Sequence, residues 1–142
     1  MSKKGKLEVT IGGIRFVAEI PETEHDVVEA RHLALFERWV VKMLCQFGEP
    51  SRDGLRFLRT RSRLKASELV DLIGVSDETI SRWENGKNDM PVSTWELMVT
   101  IAEEHVQGRS DTIDSLRKRR EQRQTHPKRL LMDSREMKCA VI

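Results

Sequence analysis

The sequence predicts a mainly α fold in which a β-hairpin and one long helix precede a series of short helices. Three observations predict it. Two β-rich runs flank Gly12-Gly13. Apolar residues then recur at 33, 36, 40, 44 and 47, the spacing of one helix face. From Ser51 onward, short apolar-periodic stretches alternate with glycines and capping residues.

The elements follow in order. Leu7-Glu8-Val9-Thr10-Ile11 alternates apolar and polar residues, and Ile14 to Ile20 is another β-rich run. Two glycines between them suit a tight turn, because glycine accepts the positive φ angles required there. Pro21 ends the hairpin. Thr23-Glu24-His25-Asp26 reads as a capping box that opens a helix running to about Phe47. Gly48-Glu49-Pro50 breaks that helix and marks a segment boundary.

Beyond the break, one helix is expected over 52–62, with Leu55, Leu58 and Leu64 facing inward. A second is expected over 66–73, carrying Leu69, Val70, Leu72 and Ile73. Gly74-Val75 forms a turn. Ser76 caps a third helix through its hydroxyl, and Gly86 ends it in the left-handed conformation. Ser93 is expected to cap a fourth helix, and a fifth is expected from Asp111 to about Arg123. Beyond Thr125-His126-Pro127 apolar periodicity fades, and a loose tail is expected. The division is therefore 1–50 for a hairpin-and-helix module that dimerises or binds a partner, 51–108 for the short helices, and 109–142 for a basic helix and tail.

Composition narrows the class. The chain has 142 residues and a net charge of +2. No apolar run approaches the roughly 18 residues of a membrane span. Met1-Ser2-Lys3-Lys4 leads directly into alternating residues, so no secretory signal is expected. Cys45 and Cys139 stand far apart without a Cys-x-x-Cys, which disfavours a zinc finger or a disulfide framework and fits the reducing cytoplasm. The four histidines lack metal-ligand spacing, and no cofactor is expected. No catalytic set or phosphate loop is present, so enzymatic activity is not expected.

Charge distribution says more than net charge. Residues 105–142 carry ten Lys/Arg against five Asp/Glu, and five arginines (52, 56, 59, 61 and 63) crowd the middle of the chain. Arg117-Lys118-Arg119-Arg120 is either a nucleic-acid arm or a solvated helix face.

The stretch 66–85 carries the function. Two helices around Gly74 have the spacing of a steep crossing. Val75 and Ile80 pin the second helix to the first, leaving Asp77, Glu78, Thr79, Ser81 and Arg82 outside. A short polar helix with a rigid back can enter the major groove.

Gly74-Val75-Ser76-Asp77-Glu78-Thr79-Ile80-Ser81-Arg82-Trp83-Glu84-Asn85-Gly86-Lys87 closely resembles the signature of the Cro/XRE (phage-repressor-type) helix-turn-helix family. The resemblance covers about Arg52 to Glu104. It implies a five-helix DNA-binding domain and a homodimer on a roughly palindromic operator in double-stranded DNA. By the same resemblance, Ser76 caps the reading helix and contacts phosphate. Asp77, Glu78 and Arg82 face bases, with Thr79 and Ser81 beside them. Arg82 suits a bidentate contact to guanine O6 and N7, and Glu78 suits cytosine N4. Asn85 and Lys87 approach the sugar-phosphate backbone, and Glu84 with Arg59 forms a structural pair. The sequence departs from the family where Lys65-Ala66 replaces the usual Ser/Thr-Gln; Lys65 there offers phosphate a point charge. Two acids at the front of the reading helix suit a helix N-terminus but repel phosphate. Arg52, Arg56, Lys87 or the tail would have to compensate.

The hairpin, connecting helix and helix-turn-helix together also resemble the MqsA/YgiT-type antitoxins, without their two zinc-binding Cys-x-x-Cys pairs. That resemblance implies a protein toxin as partner and autoregulation of an operon. The apolar stripe of residues 33–47 is then either core or a protein interface.

Overall fold

The computed structural model describes residues 5–20, 30–123 and 127–140. The order is β1 (Gly5–Ile11), β2 (Ile14–Ile20), α1 (Ala30–Phe47), α2 (Arg52–Arg61), α3 (Ala66–Ile73), α4 (Asp77–Glu84), α5 (Val92–Val106), α6 (Asp111–Arg123) and α7 (Ser134–Ala140). The fold is mainly α, with the hairpin and long helix leading into the five short helices α2–α6, as the sequence indicates. The capping box at 23–26 lies outside the described residues.

β1 and β2 pair antiparallel, with Leu7 opposite Ala18, Val9 opposite Phe16 and Ile11 opposite Ile14. All six point to one face, as a period of two requires. Gly12 and Gly13 take φ of 59° and 78°, the two positive angles of a type I′ turn. Phe16 then meets Trp39 of α1 edge to face, with centroids 6.0 Å apart. At the other end of the hairpin, Gly12 N–H donates to Asp53 Oδ2 at 2.8 Å. This bond ties the turn to the first turn of α2. Burial pushes the Asp53 carboxyl up, but backbone N–H donors from Gly12, Asp53 and Gly54 outweigh it, and the group titrates below its ordinary 3.8.

One contiguous core joins the hairpin, α1 and the short helices. It contains Ile11, Phe16, Phe36, Val40, Leu44, Leu55, Leu58, Leu69, Ile80, Trp83, Trp95 and Ile101 among others. Trp95 of α5 is its bolt. A Cβ on Gly48 would stand 3.2 Å from the indole Cζ2, and one on Gly54 would stand 2.9 Å from its Cη2. Glycine in a helix interior costs about 0.5–1 kcal/mol relative to alanine. At Gly54 that cost permits the indole to lie directly on the α2 backbone.

The stripe on α1 is covered over part of its length: Phe36, Val40, Val41 and Leu44 are buried, whereas Leu33 is 45% and Phe47 64% exposed. The periodic spacing extends further than the neighbouring elements that cover it. Two expectations need correction. Ser93 does not cap α5. The N-cap is Pro91, whose carbonyl accepts from Thr94 and Trp95 N–H, so Ser93 falls inside the first turn. The segment after Pro127 is not uniformly loose, because α7 forms over Ser134–Ala140. Asp133 opens it by accepting from Arg135 N–H at 2.7 Å.

Candidate nucleic-acid interface

The geometry of α3, the turn and α4 is set locally. Gly74 ends α3 at φ 77°, and its N–H returns to the Val70 carbonyl at 2.8 Å. An L-residue with a Cβ would be strained at that angle. Two residues later Ser76 starts α4. Its Oγ accepts from Thr79 N–H at 3.2 Å and shares a 2.8 Å hydrogen bond with the Thr79 hydroxyl. Asp77 and Glu78 occupy the first turn, where the helix dipole favours acids. At the far end, Lys87 N–H reaches the Arg82 carbonyl at 2.9 Å and Gly86 N–H reaches Trp83 at 3.3 Å. These are the two bonds of a Schellman motif, with Gly86 at φ 73°.

Packing then fixes which face of α4 looks outward. Ile80 and Trp83 are buried in the core. Glu84 is held from behind: Arg59 donates from Nε to Oε1 at 2.6 Å and from Nη2 to Oε2 at 3.3 Å, while its Nη1 reaches the Leu64 carbonyl at 2.9 Å. The two side chains are only 13% and 7% exposed, so this fork-to-fork pair operates away from bulk water. It locks α4 to α2.

Asp77, Glu78, Ser81, Arg82 and Asn85 are left exposed on the outer face. Arg82 Nη2 lies 3.5 Å from Glu78 Oε1 one turn earlier. Asn85 donates to Ser81 Oγ at 3.2 Å. Thr79 is half-buried, with its hydroxyl turned to Ser76. The structure therefore brings Ser76, Asp77, Glu78, Ser81, Arg82 and Asn85 together on or beside one helix face, and Lys87 follows at the Gly86 corner. Lys65 stands at the start of α3. Glu68 accepts from its backbone N–H at 3.2 Å, half of a capping box; a lysine ammonium has no acceptor for the other half.

Two features of the surroundings were not legible from motifs. Glu104 is buried on α5 and accepts from Thr112 N–H at 2.9 Å and from the Thr112 hydroxyl at 2.6 Å. It caps the start of α6 from another helix. The signal available was a carboxylate three residues after Ile101 on a strongly apolar face. The second feature is Arg52, whose side chain lies against Gly86: a Cβ there would meet Arg52 Cδ at 2.9 Å and Nη1 at 3.2 Å. The 52, 56, 59 spacing of arginines on one helix face was its signal.

The basic run of α6 is partly engaged with protein. Arg117 pairs with Glu68 at 3.4 Å, and Arg120 reaches both the Asp71 carboxylate and the Asp71 carbonyl. Both partners belong to α3, so these two arginines dock α6. Lys118 and Arg119 remain exposed.

Cys45 is half-buried, its Sγ 3.8 Å from the Val99 carbonyl. Burial, with the nearby Glu103 charge, pushes its thiol up to about 12. Among the described residues no three His, Cys, Asp or Glu side chains are placed to hold a metal ion, and no helix is long and apolar enough to cross a membrane.

No curated protein and no solved structure matches the chain. Residues 53–103 match a protein-family model described as a helix-turn-helix domain. The match covers α2 through most of α5, and so takes in the capped α3–turn–α4 unit and the Arg59–Glu84 lock behind it. Over these residues the chain is similar to a helix-turn-helix domain, which agrees with the Cro/XRE resemblance of its sequence.

Proposed function

We propose that the protein is a sequence-specific DNA-binding transcriptional regulator, a cytoplasmic repressor that binds a palindromic operator as a homodimer. One observation carries the reading: α4 is capped at both ends, bolted from behind by Ile80, Trp83 and Glu84, and exposes Asp77, Glu78, Ser81 and Arg82 on its outer face. A short helix so held can present side chains to base edges with little further loss of freedom on binding.

In this reading Arg82 is the principal base reader. Its fork matches guanine O6 and N7. The surface pair with Glu78 is worth about 0–1 kcal/mol, so exchanging it for a base contact costs little. Ser76, Lys65, Asn85 and Lys87 approach the sugar-phosphate backbone. The test is a genome-wide binding map followed by Arg82→Ala at the mapped site. The substitution should weaken specific binding by about 1–3 kcal/mol and relax one base position in each half-site. Unchanged affinity and unchanged base preference would remove Arg82 from the interface.

A second reading, a protein-binding antitoxin that also autoregulates its operon, is favoured by one separate observation. Leu33, Leu35, Trp39 and Phe47 are exposed along α1. A partner that co-purifies with the full chain and is lost on Leu35→Asp would support it.

A further inference from the structure

Charge is unevenly distributed along the helix that faces outward. The start of α4 is acidic, with Asp77 and Glu78 exposed in its first turn. The corner at its end is basic. Arg52 lies across Gly86, and Lys87 follows it. Arg56 stands 3.8 Å from Glu84, but that carboxylate already receives both forks of Arg59. Arg52 thus borders the corner in space, Arg56 borders Glu84 at the end of α4, and Lys87 follows Gly86 in the chain. Of the acids on these elements, Glu84 is spent on Arg59 and Asp53 is turned to Gly12. Arg52 and Lys87 form no ion pair among the described residues, and both are exposed. The backbone at this corner also offers little obstruction, because Gly86 carries no side chain.

We infer that Arg52 and Arg56, projecting from the first two turns of α2, form with Lys87 a phosphate-binding corner that anchors the nucleic-acid backbone at the C-terminal end of α4. The inference rests on the DNA-binding reading and adds an orientation to it. The acidic N-terminal end of α4 is directed to bases, where a carboxylate can accept from cytosine N4, and kept from phosphates, which it repels. The backbone-holding charge that Lys65 supplies only singly at the front is concentrated behind. Phosphate contacts of this kind position the protein without reading sequence.

Each phosphate neutralised releases counterions, so the plot of log binding constant against log salt loses about 0.9 of slope for each contact removed. The experiment measures that slope for the full chain on a mapped operator and on an unrelated duplex. It compares Arg52→Ala, Arg56→Ala and their double variant with Lys118→Ala/Arg119→Ala and with Arg82→Ala, with thermal unfolding recorded for each. The expected result is a slope lower by about 0.9 in each single corner variant and by about twice that in the double, equal on both duplexes. Arg82→Ala should instead reduce the preference for operator. A purely structural role for Arg52 on the end of α4 would lower the melting temperature and leave the slope unchanged, which overturns the inference. A slope lost with Lys118 and Arg119 but kept in the corner variants would place the anchor on α6 and also overturn it. If the wild-type chain bound neither duplex, the DNA-binding reading itself would fall, a result distinct from either of these.

Discussion

Helices α4 and α6 both turn rows of charged side chains to solvent, and they are built in opposite ways. α4 buries Ile80 and Trp83, is closed at both ends by hydrogen bonds, and is clamped by the Arg59–Glu84 pair. α6 has no buried residue. It leans on Ile113 and Leu116, on the Glu104 cap, and on two solvent-facing arginine pairs to α3. α6 is the more basic helix, so charge alone would nominate it as the nucleic-acid element. Rigidity nominates α4. A reading surface needs side chains whose positions are fixed before the ligand arrives, and only burial behind them supplies that.

The sharpest way to break this contrast is Glu84→Ala. It leaves the Arg59 guanidinium without its carboxylate in a poorly hydrated place. The expected loss is about 3 kcal/mol, the low end for a broken buried pair, because Arg59 keeps the Leu64 carbonyl. Urea unfolding measures it, and a loss below about 1 kcal/mol would mean that α4 does not depend on this lock.

Arg117→Ala/Arg120→Ala probes the other helix. Each exposed pair should contribute less than about 1 kcal/mol, and the effect should vanish in 1 M salt. Amide exchange along α6 should rise while α4 stays protected. Equal deprotection of both helices would show that they form one cooperative unit.

The smallest expected effect is on Cys45, half-buried on α1 beside Val99 of α5. Its folded-state value is raised from 9.0 to about 12, so the folded chain keeps the proton where an unfolded one loses it. The associated stability is therefore complete below pH 9 and drains away as pH rises towards 12. At pH 8.5 an aromatic disulfide reagent should leave native Cys45 almost untouched, even in salt that loosens α6. Rapid modification there would place the opening of α6 and of the core in the same event.

Much of this was legible in the sequence wherever the cause was local. The Gly12-Gly13 turn, Gly74, the Ser76 cap and the Gly86 stop each depend on a backbone angle or a hydroxyl within four residues. The first sets the hairpin, and the other three set the ends of α3 and α4 and so the outward set of Asp77, Glu78, Ser81 and Arg82. Readings that required knowledge of neighbours fared worse. The α1 stripe reads as one continuous face, but only tertiary packing decides that Phe36 is covered and Leu33 is not. Ser93 is a good capping residue placed two positions too late, because the chain enters α5 from Pro91. Glu104 and Arg52 act across 8 and 34 residues of sequence respectively, and their local spacing marks them as candidates without naming the partners, Thr112 and Gly86, that only tertiary packing supplies.

The three tryptophans sit at three different seams, and this gives the molecule a built-in set of optical reporters. Trp39 marks the junction of hairpin and α1, Trp83 the underside of α4, and Trp95 the meeting of α1, α2 and α5. They range from 40% exposed at Trp39 to 2% at Trp95, so their emission colours should differ in the native state. Variants retaining a single indole would show, seam by seam, the order in which the molecule comes apart.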